Sequence, residues 1–147
     1  MVQHEGKLDP QQTEQVERYE ILIKVQPEDI DRLGHVNNVV YLRWVQDVAV
    51  AHWSARASKD DQASLLWVVV RHEIDYKRPA LAGDDIIART WVGPASSRIF
   101  ERNTELLRAS DRRVLARART LYCPIDPATG KRTMVSAEVR ARFSVTE

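Results

Sequence analysis

The sequence predicts an α+β fold, with one long helix lying on a face of a five-stranded antiparallel sheet. Three observations predict it. Tyr19, Ile21, Ile23 and Val25 alternate with mostly polar residues, the two-residue period of a half-buried strand. Apolar residues then recur at helical spacing from Val39 to about Ala57, roughly five turns at 3.6 residues each. From Leu65 to Tyr122 the period returns to two, in four runs separated by turn residues. A strand, a helix and then four strands in a meander make an antiparallel sheet with its helix on one side.

Taken in order, the first strand begins at Tyr19 and ends at Pro27, and a polar loop, Glu28 to Gly34, follows. Tyr41, Val45, Val48 and His52 form the helix stripe, and Leu42, Ala49 and Trp53 widen it. Arg43, Gln46, Asp47 and Ser54 lie opposite. So wide an apolar arc suits a helix mostly covered by other structure. Asn37 and Asn38 precede it, and Asn is a favoured N-cap because its side chain accepts from a free helical N–H. Ser58 to Ala63 reads as an exposed loop. The next strand, Leu65 to Lys77, sets Leu66, Val68, Val70, His72, Ile74 and Tyr76 on one face, and Arg78 to Gly83 turns the chain. A strand from Asp84 to Val92 is broken by Gly93 and Pro94; another spans Ser96 to about Leu107; Ala109 to Arg112 is a turn. In the last strand Val114, Ala116, Ala118, Thr120 and Tyr122 share a face of mostly small side chains, as a closely packed helix requires. Asp126 to Lys131 is a Pro/Gly turn and Ser136 to Phe143 a short closing helix.

Composition bounds the function. The 147 residues suit one domain, residues 19–147, behind a loose polar lead-in, residues 1–18. With 22 basic and 21 acidic side chains, nothing electrostatic favours nucleic acid or an anionic membrane as partner. No run approaches the ~18 apolar residues that span a bilayer. The polar start lacks an apolar signal core, and the single Cys123 fits a reducing compartment, so a cytoplasmic protein is expected. The four His and one Cys show no metal-ligand spacing, and neither metal nor cofactor is expected.

One segment carries chemistry: Glu28-Asp29-Ile30-Asp31-Arg32-Leu33-Gly34-His35-Val36-Asn37-Asn38, running into the helix. It sets carboxylates just ahead of a helix start, where backbone N–H groups lack intrahelical partners. A carboxylate beside such donors suits acyl transfer: the donors stabilise a tetrahedral oxyanion while the carboxylate acts as nucleophile or general base. The same residues also read as an acidic loop with an Asn cap and a Gly turn.

The string Asp-x-Asp-x-x-Gly-His-Val-Asn-Asn, followed closely by Tyr41-Leu42-Arg43-Trp44, resembles the 4-hydroxybenzoyl-CoA thioesterase family of hotdog proteins. The segments Tyr76-Lys77-Arg78-Pro79-Ala80 with Gly83-Asp84, and Asp126-Pro127 with Thr129-Gly130-Lys131, are similar to that family's too. The resemblance covers roughly residues 19 to 143. It implies a hotdog fold, with a five-stranded antiparallel sheet wrapped around one long central helix. It also implies homodimers or homotetramers with active sites between subunits, and hydrolysis of an acyl-CoA or acyl carrier protein thioester.

Carried over by position, Asp31 is the catalytic carboxylate and the backbone N–H of Asn38 polarises the thioester carbonyl. Gly34, His35, Val36, Asn37 and Tyr41 then fall on the substrate side of the site. This chain has Asn37-Asn38 where other members carry Tyr-His, so a mechanism that relies on that His does not transfer. CoA phosphates suit the forked donors of Arg, and Arg98, beside the turn the family uses for the nucleotide, and Arg78 are the contacts implied. A non-catalytic acyl-CoA-binding module is the alternative, and a hotdog dehydratase is disfavoured because its His-centred helix motif is missing.

Other residues have plainer readings. Asp29 reads as structural or solvent-facing. His52 and His72 read as satisfied core or interface histidines. Nothing near Cys123 activates its thiol. Arg89, Arg98, Arg102, Arg113, Arg117 and Arg119, interleaved with Glu101 and Glu105, read as a solvated charged sheet face.

Overall fold

The computed structural model describes residues 16–143. Residues 1–15 of the expected lead-in and residues 144–147 of the expected domain lie outside the described residues. The elements are β1 (Tyr19–Lys24), a 3₁₀ turn (Pro27–Asp29), α1 (Asn38–Arg56), α2 (Lys59–Ser64), β2 (Leu66–Tyr76), β3 (Asp85–Ala95), β4 (Phe100–Arg108), β5 (Val114–Ile125) and α3 (Ala137–Phe143). The five strands form one antiparallel sheet in the order β1-β3-β4-β5-β2.

That order corrects the four-strand meander. Only β3, β4 and β5 run as one; β2 lies at the far edge beside β5. The connection after β2 is too long for a tight hairpin back onto it, and the Lys77 and Arg78 N–H groups instead donate to the Leu115 carbonyl of β5. Smaller corrections are local. Ser58 to Ala63 is not a loop: the Ser58 hydroxyl accepts from the Asp61 N–H at 3.1 Å, and Asp60 and Asp61 sit in the first turn of α2, where acidic groups suit the helix dipole. Gly93-Pro94 does not end β3, because the ladder to β4 absorbs it as an irregularity between Val92 and Ala95. β4 starts at Phe100 rather than Ser96, since the Ser96 hydroxyl holds a turn by accepting from the Arg98 and Ile99 N–H groups.

A bulge also divides the face expected for β2. Val69 pairs with Tyr122 and Arg71 with Leu121, which leaves Val70 outside the ladder. One extra residue reverses the alternation. After the bulge His72, Ile74 and Tyr76 lie opposite Thr120, Ala118 and Ala116; before it, Val69, not Val68 or Val70, shares the side of Tyr122.

The core lies between α1 and the concave face, in two apolar halves. One gathers Val36, Tyr41, Trp44, Val45 and Val48 against Ala88, Leu106, Ala116 and Ala118. The other packs Ala49, Val92, Phe100 and Tyr122 against Val135, Val139 and Phe143. Between them a polar belt crosses four strands: Thr90 on β3, Thr104 and Arg102 on β4, Thr120 on β5 and His72 on β2. This corrects the reading of Arg102, which is buried under α1 and not on the charged outer face. On that outer face Arg89, Arg117 and Arg119 do pair with Glu20, Glu105 and Glu101.

The buried guanidinium is held by neutral and distant partners. Arg102 Nη1 lies 2.8 Å from His52 Nδ1 and 3.2 Å from Thr90 Oγ1. Arg can only donate, so Nδ1 accepts and His52 carries its proton on Nε2, donated to Glu17 Oε1 at 2.8 Å. Burial, reinforced by the Arg102 charge, pushes His52 down to about 4, and burial lowers Arg102 to about 10. Glu17 also takes the Arg56 guanidinium, and β1 begins two residues later.

Candidate active site

The segment Asp29 to Asn38 is shaped by its own polar groups. Gly34 has φ +79°, a conformation that favours glycine, and its N–H donates to the Asp31 carbonyl at 3.1 Å. Asp31 Oδ1 accepts from the Leu33 N–H at 2.8 Å and the His35 N–H at 3.2 Å. The carboxylate therefore closes its own turn with one oxygen. Among the described residues, Oδ2 takes no hydrogen bond.

Asn37 caps α1, its side-chain oxygen accepting from the Val39 N–H at 3.1 Å, while its carbonyl accepts from the Val40 N–H at 2.9 Å. That occupies the Asn37 side-chain oxygen with the helix. Among the described residues nothing accepts from the Asn38 N–H, the next donor at the helix start.

The loop is tied down from two sides. Asp29, which is 1% exposed, receives Arg43 at 2.8 Å on Oδ1 and the Gln26 N–H at 2.9 Å on Oδ2, so it is the structural carboxylate of the pair. On the other side the Val36 N–H donates to the Ala80 carbonyl at 2.9 Å, and the Ala80 N–H donates to the Tyr41 hydroxyl at 2.8 Å. Burial pushes Tyr41 above its ordinary value. The Tyr76 hydroxyl donates to the Asn38 carbonyl at 3.0 Å, and its ring meets Tyr41 edge-on at 5.2 Å.

These ties surround a cleft of about 280 Å³, lined by Asp31, Leu33, His35, Val36, Asn38 and Tyr41 from the loop and helix, and by Tyr76, Lys77, Arg78 and Pro79 from the end of β2. Of the residues singled out in the sequence, Asp31, His35, Val36, Asn38, Tyr41 and Arg78 meet there. Gly34 and Asn37 shape the backbone without lining it. Arg98 sits in the turn between β3 and β4 and is not among the lining residues. Tyr76 and Lys77 were not singled out as site residues; their signal was the Tyr-Lys-Arg-Pro segment, whose end of β2 the fold brings onto the helix start. Among the described residues no three His, Cys, Asp or Glu side chains gather as a metal site, and no helix is long and apolar enough to cross a membrane.

A long helix in the curve of a five-stranded antiparallel sheet defines a hotdog protein, and at the start of that helix stand a carboxylate and an amide that has no acceptor among the described residues. A profile of the thioesterase-like superfamily matches residues 25–143, and the chain belongs to that superfamily. It is a thioesterase, an enzyme whose general chemistry is acyl thioester hydrolysis.

The fold is shared with solved thioesterases. A 1,4-dihydroxy-2-naphthoyl-CoA thioesterase from Synechocystis is 20% identical with TM-score 0.74, over 86% of this chain and 95% of that one. A Thermus thermophilus thioesterase solved with coenzyme A and zinc is 23% identical, TM-score 0.74, over 84% and 95%. An Escherichia coli protein described as a probable thioesterase is 25% identical, TM-score 0.72, over 84% and 95%. No curated protein matches the chain significantly.

Proposed function

We propose that this thioesterase hydrolyses acyl esters of coenzyme A or of an acyl carrier protein, with Asp31 as the catalytic carboxylate and the Asn38 N–H as oxyanion donor. The observation that carries this reading is the cleft where Asp31, with one carboxylate oxygen unengaged among the described residues, lies beside the open first turn of α1. The carbonyl carbon is attacked by Asp31 Oδ2 or by a water that Asp31 deprotonates. The oxygen gains negative charge facing the Asn38 amide, and the C–S bond breaks to release the thiol. In the first route water then cleaves the acyl–aspartyl anhydride; both routes give free acid. A preorganised donor of this kind is worth roughly 3–4 kcal/mol. Lys77 and Arg78 place positive charge at the rim of the cleft, where the phosphates of the thiol carrier would lie.

Two further features go with this reading: a cytoplasmic setting, in keeping with the single free Cys123, and assembly as a homodimer or homotetramer, in keeping with the bare apolar edge of β2. The test is thiol release from a panel of acyl-CoAs and acyl carrier proteins. Asp31→Asn should lower kcat by a factor of about 10²–10⁴. Equal rates in the two proteins would remove Asp31 from the mechanism, and tight binding without turnover of any substrate would make the protein a binding module.

A further inference from the structure

We infer that the mouth of the cleft is a docking surface for the acidic face of an acyl carrier protein, so that the protein-borne thioester is preferred over the coenzyme A ester. The inference rests on the thioester lying between Asp31 and Asn38. Charge is unevenly matched on this molecule. On the outer face of the sheet cations meet carboxylates: Arg89 pairs with Glu20, Arg117 with Glu105, and Arg119 with Glu101 and Glu73. At the mouth they do not. Lys77 and Arg78 line the cleft, and Arg32 stands between two lining residues, Asp31 and Leu33. Among the described residues no carboxylate pairs with any of these three side chains, and Arg78 donates only to the Val114 carbonyl, at 3.3 Å. Asp31 is the sole carboxylate among the lining residues.

Two apolar side chains share that rim. Leu33 is 79% exposed, more than any other large apolar side chain among the described residues. Leu81 is 40% exposed, and its backbone bridges to His35 of the same loop. The turn that presents Leu33 is fixed: Asp31 Oδ1 holds the Leu33 and His35 N–H groups, and Gly34 takes a positive φ. Leucines held out to water among unmatched cations have the composition of an interface, apolar contacts ringed by charge.

Coenzyme A and a carrier protein present the same phosphopantetheine arm, so Lys77 and Arg78, which line the cleft, serve either one. Arg32, Leu33 and Leu81 separate them. The nucleotide end of coenzyme A brings phosphates and one flat base. A protein face brings carboxylates and aliphatic side chains together, and it can cover the Arg32-Leu33 turn and the Leu81 turn at once. Burying Leu33 alone corresponds to a gain in affinity of about tenfold or more. Opposite charges also speed the encounter, so the preference falls on kcat/KM more than on kcat.

The experiment measures Kd on Asp31→Asn for decanoyl-CoA and for a decanoyl-loaded bacterial acyl carrier protein, and kcat/KM for both on otherwise wild-type protein. The carrier protein should bind about tenfold more tightly or better, with the margin shrinking as salt rises. Arg32→Glu and Leu81→Ser change side chains that do not line the cleft. Each should cut the margin by about threefold or more, with kcat for decanoyl-CoA little changed. Equal Kd for the two substrates, tighter binding of the coenzyme A ester, or a margin that neither substitution moves overturns the inference. Turnover by Asp31→Asn would remove the Asp31 mechanism and leave the margin readable from kcat/KM. Wild-type protein that turns over neither substrate would end the hydrolase reading and leave the margin readable from Kd, so the two failures are distinct.

Discussion

The Asp29 carboxylate, buried in the turn after β1, meets the Arg43 guanidinium of α1 at 2.8 Å and so fastens the loop that carries Asp31 to the helix it precedes. Its other oxygen accepts from the Gln26 N–H, and its carbonyl accepts from the Asn37 N–H at 2.8 Å, so one residue holds both ends of the loop. Asp29→Ala should cost about 2 kcal/mol, because it removes two hydrogen bonds to a charged acceptor, while the half-exposed Arg43 and the exposed Gln26 can turn to water. It should also reduce turnover by loosening Asp31. Urea unfolding measures the first effect, and an unchanged midpoint would show that the fastening is idle.

Tyr76 ties the end of β2 to the first residue of α1 through one neutral hydrogen bond. Tyr76→Phe keeps the ring contact with Tyr41 and removes the bond, so stability should fall by about 1 kcal/mol. If the bond positions the helix start for the carbonyl oxygen, kcat should drop several-fold with KM little changed. A change in KM alone would instead make Tyr76 a substrate contact.

The elements and the loop that carries Asp31 were legible because each is specified locally. Asn37 caps, Gly34 turns with positive φ, and Asp31 closes its turn through the backbone N–H groups of Leu33 and His35. What was not legible depends on pairing. The bulge at Val70 leaves β2 reading as one continuous alternation, yet it sends Leu66 and Ile74 to opposite sides. Arg102 shares the phase of Phe100, Thr104 and Leu106, which placed it inside by alternation alone. An isolated buried Arg is unusual enough that its charge outweighed its phase in the reading. Tyr76 belongs to the site only because β2 crosses to the far edge of the sheet and returns its end to the helix start.

The chain from Glu17 through His52 to Arg102 predicts a dependence of stability on pH. His52 is depressed in the folded protein to about 4, whereas the unfolded chain titrates near its ordinary 6.5. Between those values the unfolded state binds the extra proton, so the stabilisation is complete above about 6.5 and is lost as pH falls towards 4. From pH 7 to pH 5 the His52 contribution amounts to about 2 kcal/mol. Burial lowers His72 in the same direction, so the comparison must isolate His52. His52→Asn keeps a possible acceptor for Arg102 and cannot titrate. Its urea midpoint should fall by less than the wild-type midpoint between pH 7 and 5, and parallel losses would assign the dependence elsewhere.

The outer edge of β2 has no partner strand in the described sheet, and Leu66, Val68 and Val70 along it are 51%, 50% and 54% exposed. An unpaired edge that is also apolar is a template for another strand unless something covers it. Further along the same strand Arg71 and Glu73 carry opposite charges, and antiparallel pairing with a second copy centred on His72 sets Arg71 of each strand opposite Glu73 of the other. Val68→Lys puts a charge into the apolar stretch without touching the core, since Val68 lies on the side away from α1. Sedimentation should therefore find an assembled wild type and a shift of Val68→Lys towards monomer, with the unfolding midpoint of the monomer lowered. Wild-type protein that sediments as a monomer at every concentration would leave that edge to be covered some other way.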